Sequence, residues 1–224
     1  MGLDSMKNLK HELQNLILGN EQAGSESKLK KTQNFLRRNA ESGGGTEKIK
    51  PIKNQEEIYL TEFLDEENFW FPDQISEINF IAEGAEQKVY KYGKNSVFKL
   101  NDGIFYESWL DYCNSLLIHN FFFQSTEYLL LGFKKLNDSF YAVVEQDFIL
   151  ATEPVDLEKV NEFLDFNQFE NVRNHDYFSK ELGIIFEDLH DENVLSRDQI
   201  LYFIDTVFYL TPEFYQNLCP NSEK

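Results

Sequence analysis

The stretch Phe186-Glu187-Asp188-Leu189-His190-Asp191-Glu192-Asn193-Val194-Leu195, followed by Tyr202-Phe203-Ile204-Asp205, constrains this chain more than any other part of it. Short apolar runs enclose a loop of carboxylates, one histidine and one amide, and a further apolar run ends on a carboxylate. Runs this short suit strands better than helices. Asp188 and Asn193 flank the loop five residues apart, and Asp205 follows Asn193 by twelve. Hard oxygen ligands of this kind suit Mg²⁺. Metal-dependent phosphoryl transfer asks for such a set: one carboxylate to orient the acceptor hydroxyl, and an amide oxygen with a second carboxylate to hold the metal. Asp188 and Asn193 could also be a plain Asx-turn pair, and His190 either contacts phosphate or only hydrogen-bonds the loop.

The rest of the chain places this loop late in an α+β order. Leu9, Leu13, Leu16 and Ile17 have helical spacing, a second short helix is expected over Leu29–Arg38, and Ser42-Gly43-Gly44-Gly45-Thr46 reads as a flexible linker. A helix is expected from Gln55 to Phe71 and a strand over Ile75–Ala82. Lys88–Tyr92 and Ser96–Leu100 form a hairpin around Gly93-Lys94-Asn95. An amphipathic helix is expected over Ile104–His119, then strands at Tyr128–Phe133 and Ser139–Val144. After Gln146 the pattern is mostly helical as far as Lys180, with short strand-like pieces beyond it. His119 and the phenylalanines after it read as a helix end closed by a buried aromatic plug.

Charge and cysteine usage exclude several classes. A net charge of −18 argues against a nucleic-acid partner, which needs clustered Lys and Arg. The charge is uneven: residues 1–55 hold ten Lys or Arg and six Asp or Glu, a balance of +4 that leaves −22 for the remainder. No apolar run approaches the roughly 18 residues of a membrane span, and the N-terminus lacks the apolar stretch of a signal peptide. Cys113 and Cys219 are far apart and the four histidines show no paired ligand spacing, so neither a disulfide nor a zinc site is expected. The chain reads as cytoplasmic.

The loop Asp188-Leu189…Asn193-Val194-Leu195 resembles the catalytic loop of the protein-kinase-like superfamily. Asp188-Leu189-His190 is also similar to the loop of aminoglycoside phosphotransferases. With Ile204-Asp205, the whole stretch is similar to the compact kinase domains found in polyvalent proteins of phages and conjugative elements. The resemblance extends over about Ile75–Leu210. It implies that Gly84, Ala85, Glu86, Gln87 and Val89 stand where a glycine-rich loop covers ATP. It implies that Lys99 contacts the phosphates, with Glu107 in the first turn of the next helix (Asp111 being an alternative) as its ion-pair partner. Glu145, Gln146 and Asp147 then fall in the hinge that meets adenine, Asn193 and Asp205 hold Mg²⁺, and Asp188 orients the acceptor hydroxyl. The sequence departs from the family in keeping one glycine in the loop, where Glu86 and Lys88 stand to crowd the phosphates. It also has Thr206-Val207 after Asp205 and lacks an Ala-Pro-Glu segment.

The expected architecture is therefore a minimal bilobal kinase-like fold with a truncated C-lobe: residues 1–50 a helical arm and linker, 51–146 an N-lobe, 147–224 a small, mostly helical C-lobe. The expected activity is ATP- and Mg²⁺-dependent phosphate transfer to a protein or small-molecule hydroxyl. The alternatives are a pseudokinase that binds nucleotide or a partner without catalysis, and AMP transfer on the same fold.

Overall fold

The computed structural model describes residues 3–19, 27–42, 53–85 and 87–216. Glu86, the glycines of the linker and Cys219 lie outside the described residues. The chain divides into two compact units. It opens with helices α1 (Leu3–Leu18) and α2 (Lys28–Ser42), which belong to different units. The arm expected over residues 1–50 is thus shared out between them.

The first unit to be completed along the chain is built on a sheet. It contains α2, α3 (Lys53–Glu67), β1 (Phe80–Glu83), β2 (Gln87–Tyr92), β3 (Ser96–Asn101), the start of α4 (Trp109–Phe122), β4 (Leu129–Leu136) and β5 (Ser139–Asp147). The five strands pair antiparallel in the order β1-β2-β3-β5-β4, with α4 inserted between β3 and β4. The β4–β5 turn has Asn137 and Asp138 at φ 48° and 67°, the two left-handed positions that a two-residue hairpin loop requires. Phe71, Tyr90, Phe98, Leu100 and Val143 form a core on one face of the sheet. Registers Val89↔Lys99 and Lys99↔Val144 put Lys99 on the other face, because neighbouring strand residues alternate.

Several boundaries differ from those expected. α3 ends at Glu67, and Trp70 forms a parallel bridge with Phe133 of β4. Gly132 lies against that segment so closely that a Cβ would stand 2.2 Å from the Phe69 carbonyl oxygen. Only the end of the strand expected over Ile75–Ala82 forms, with a 3-10 turn at Glu77–Asn79 before it. α4 begins at Trp109, five residues later than expected. Asn101 Oδ1 accepts from Gly103 N at 2.6 Å, Gly103 has φ 63°, and Tyr106 N donates to Gly103 O at 2.9 Å. These turns use residues 101–106 before a helix can start.

Two carboxylates then fix where α4 begins. Ser108 Oγ accepts from Asp111 N at 3.0 Å and donates to Asp111 Oδ2 at 2.7 Å, so Ser108 caps the helix N-terminus. Glu56 of α3 is fully buried and accepts from Trp109 N at 2.5 Å. A carboxylate at a helix N-terminus meets unpaired N–H groups and the positive end of the helix dipole. α2 is tied into the same unit by Gln33 Nε2, which donates to Asn114 Oδ1 of α4 at 3.0 Å, and by the Phe35–Phe63 stack at 4.2 Å.

The other unit contains α1, residues Leu117–Gln124, and the chain from Ile149 onward. Where mostly helix is expected between Gln146 and Lys180, the described residues form one α-helix, α5 (Leu157–Phe166), and two short strands, and the strand-like pieces expected beyond Lys180 form among four more. The strands are β6 (Glu170–Arg173), β7 (Asp176–Ser179), β8 (Ile184–Glu187), β9 (Val194–Arg197), β10 (Ile200–Phe203) and β11 (Val207–Leu210). Asn174 at φ 47° turns β6 back onto β7, which is why a segment read as helix forms a hairpin. β11-β8-β7-β6 make one sheet and β9–β10 a separate hairpin. Phenylalanines fill the centre: Phe186 stacks on Phe208 at 4.2 Å, and Phe123 on Phe203 at 4.4 Å. α1 buries Met6, Leu13 and Ile17, and its Gln14 Nε2 and Lys10 Nζ donate to the carbonyls of Phe214 and Glu213 at 2.6 and 2.7 Å. Glu56→Ala removes the acceptor of a buried helix N-terminus and is expected to lower the stability of the sheet unit by about 1–3 kcal/mol, read as a fall in the urea midpoint.

Candidate active site

The loop between β8 and β9 is held by backbone bonds at several points. Leu189 N donates to His175 O at 3.1 Å, and the buried Leu189 side chain anchors the loop from below. Asn193 N and Val194 N both donate to His190 O at 3.1 Å. Asp188 takes φ 66°, a left-handed conformation that Asp tolerates better than most residues, and its N donates to Asp176 Oδ1 at 3.2 Å.

The Asn193 amide determines how the loop's side chains are oriented. Its Nδ2 lies 2.8 Å from Asp188 O and 2.9 Å from Asp188 Oδ2. Both of those atoms can only accept, so the amide nitrogen must face them, and both its hydrogens are used. The same nitrogen stands 3.1 Å from His190 Nε2 but has no hydrogen left to give. Glu192 N donates to His190 Nδ1 at 3.2 Å, which puts the ring proton of the neutral tautomer on Nε2. His190 Nε2 lies 3.2 Å from Asp188 Oδ1. Asp188 is therefore oriented through both carboxylate oxygens while its side chain remains 56% exposed. The Asn193 side chain is nearly buried, and with Nδ2 engaged its Oδ1 is the donor atom left for a cation.

Asp205 comes to the same end of the β9–β10 hairpin through strand register. Phe203 pairs with Val194, and one residue further Ile204 N donates to Asn193 O at 3.0 Å. Asp205 follows, in the bend before β11. The β9–β10 turn uses Asp198 and Gln199 at φ 52° and 65°, so a two-residue loop sets the register. Among the described residues no three His, Cys, Asp or Glu side chains gather closely enough to cage a metal ion. Mg²⁺ does not need such a cage, since it is usually held by one or two carboxylates together with substrate phosphates. The oxygens of Asn193 and Asp205 fit that requirement.

In the sheet unit, Gly84 N donates to Gln87 O at 2.9 Å, closing the β1–β2 turn. Glu83 and Lys88 pair across the base of that turn at 3.1 Å. Lys88 neighbours Val89 in β2, so it points to the face of Tyr90 and Leu100, away from Lys99. Lys99 is buried, with its Nζ 5.3 Å from the centre of the Tyr128 ring. Glu107 is exposed in the bend before α4 and not in its first turn. Glu145, Gln146 and Asp147 are the last residues of β5, paired with β3, and Gln146 Nε2 donates to Thr126 O at 2.7 Å. The division between units follows directly, after Phe148.

A family model described as a serine/threonine/tyrosine kinase found in polyvalent proteins matches residues 53–212. The chain belongs to this kinase family. No curated protein and no solved structure in the comparisons matches it. The kinase match includes the sheet with α4 and the whole loop from Asp188 to Asp205, and it excludes α1 and α2.

Several residues that serve the site are not evident from the kinase motif. Asp176 and His175, in the β6–β7 hairpin, hold the Asp188 loop through backbone contacts, and a hairpin misread as helix gives no reason to pair them with it. Glu187 carries an electrostatic load: burial raises its pKa, and the nearby carboxylates of Asp176 and Asp188 raise it further. Between the ordinary glutamate pKa and this raised value, the folded state binds more protons than the unfolded one, so Glu187 makes stability fall as pH rises. Glu187→Gln is expected to raise the melting temperature at neutral pH. The gain should shrink as pH falls to the ordinary carboxylate range, as thermal melts across pH 4–8 would show. Among the described residues no helix is long and apolar enough to cross a membrane.

Proposed function

We propose that this kinase-family chain transfers the γ-phosphoryl group of ATP, with Mg²⁺, to a hydroxyl of a protein or small-molecule acceptor. The observation that carries this reading is the Asn193 amide: its nitrogen is committed to Asp188, its oxygen is left for a cation, and its backbone carbonyl receives Ile204 N beside Asp205. Mg²⁺ bound there would neutralise charge on the phosphate oxygens.

The chain's own residues then have distinct tasks. Asp188, oriented by His190 and Asn193, would accept a hydrogen bond from the incoming hydroxyl and receive its proton as the new oxygen–phosphorus bond forms and the bond from the γ-phosphorus to the β–γ bridging oxygen breaks, releasing ADP. Asp188 needs only to be ionised and aimed, which the two contacts to its oxygens provide. His190 keeps that carboxylate oriented. Lys99 grips the α- and β-phosphates, with Val89 and Val144 beside it on the same sheet face. The backbone of Gly84–Gln87 covers the phosphates, and the end of β5 meets the adenine. Positioning and electrostatics would supply most of the rate, as little covalent chemistry is asked of the protein.

The test is Mg²⁺-dependent ATP turnover and self-labelling, wild type beside Asp188→Asn and Asp205→Ala. Both variants are expected to lose about 100-fold or more of the turnover. Turnover unchanged in Asp188→Asn would overturn the assignment. Label entering from the α-phosphate would identify AMP transfer, and nucleotide binding without turnover or labelling would identify a pseudokinase. Gly84→Ala tests the loop separately. The nearest atom to an added Cβ is 4.0 Å away, so melting should not change, while the KM for ATP should rise several-fold if the backbone approaches the phosphates.

A further inference from the structure

His119 is fully buried in the last turn of α4, and its Nδ1 lies 2.7 Å from Oγ1 of the buried Thr206. The contact joins residues 87 positions apart in the chain. Its surroundings are the Phe123 ring, 5.4 Å from His119, and the Phe123–Phe203 stack. Thr206 is the residue after Asp205. The residue before it, Ile204, donates its N–H to Asn193 O. Asp205 therefore sits between two anchored neighbours, one tied to the other cation ligand and one tied to α4.

Packing alone does not call for this arrangement. Burying an imidazole and a hydroxyl removes both from water, a cost that a purely apolar pair would not incur. A valine at position 206 would fill nearly the same volume without it. What the hydrogen bond adds is direction, since it fixes the rotation of Thr206 about its own backbone. Mg²⁺ is exacting in this respect: it takes near-octahedral oxygen ligands at about 2.0–2.1 Å.

We propose that His119 and Thr206 are positioning residues that set the Asp205 carboxylate for the divalent cation. The proposal rests on the phosphotransferase reading above and adds two residues outside the kinase motif. Neither touches nucleotide or metal; both act through Asp205.

The test compares wild type with Thr206→Val and His119→Leu, which break the hydrogen bond. It also uses Thr206→Ser and His119→Asn; the serine keeps the hydroxyl, and the asparagine amide reaches the position of Nδ1. Two quantities are read well below each variant's melting temperature. One is the Mg²⁺ concentration giving half-maximal ATP turnover. The other, independent of activity, is Mn²⁺ affinity in the presence of a non-hydrolysable ATP analogue, followed by the loss of the free-ion electron paramagnetic resonance signal. Thr206→Val and His119→Leu are expected to raise the Mg²⁺ requirement and weaken Mn²⁺ binding by about tenfold, a ΔΔG of about 1.4 kcal/mol, with the KM for ATP at saturating Mg²⁺ little changed. Thr206→Ser and His119→Asn should recover most of the loss. Equal Mn²⁺ affinity in all five proteins, with only melting temperatures altered, would show a purely structural contact and overturn the proposal. A wild type that neither binds Mn²⁺ with the analogue nor turns over ATP would instead overturn the phosphotransferase reading, and this proposal with it.

Discussion

Two hydrogens on one amide nitrogen organise the loop on which the rest of the site depends. Asn193 Nδ2 spends both on Asp188, one on its backbone oxygen and one on its carboxylate. That pairing holds Asp188 in a left-handed conformation and brings its carboxylate back toward the loop, where His190 Nε2 meets the other oxygen. An aspartate there could not do this, since a carboxylate has no hydrogen to donate. A glutamine could donate but would carry the amide one methylene further out. The amide also divides its roles between its two heavy atoms, with nitrogen shaping the loop and oxygen facing outward.

The spacing of Asp188, Asn193 and Asp205 was legible because each lies at the end of a short apolar run, and such runs seldom form anything but strands. The β4–β5 hairpin was legible from turn chemistry, with Asn137 and Asp138 at its tip. The start of α4 was not. The apolar spacing from Ile104 onward fits a helix, and nothing local to it shows that Glu56, 53 residues earlier, receives the N–H of Trp109. The β6–β7 hairpin failed for a related reason: its strands are four residues each, too short for alternation to outweigh the helical pattern before them. His119 was read as a buried helix end, which it is, but its hydrogen bond to Thr206 is a tertiary fact that no local pattern carries.

Alternation along strands also resolves what composition left confused. The β1–β2 region brings several charges close together in sequence, and on the chain alone Lys88 stands to crowd the ligand that Lys99 is expected to contact. Strand register separates them. Lys88 pairs with Glu83 on the face of Tyr90 and Leu100, while Lys99 lies beneath the opposite face with Val89 and Val144.

The division of the N-terminal helices between the units has a consequence for how the chain comes to be folded. The sheet unit is complete in sequence once residue 148 has been made, and of its strand pairs only β3–β5 joins strands that are not consecutive. The other unit draws on segments from both ends of the sequence. Lys10 and Gln14 of α1 find their carbonyl partners 203 and 200 residues later. Contacts so distant close slowly, since the intervening chain must first be ordered or looped out. α1 is made about 200 residues before the carbonyls it docks against. Its apolar residues Met6, Leu13 and Ile17, buried in the finished fold, are made long before that docking is complete, and apolar surface exposed in the meantime is what chaperones hold.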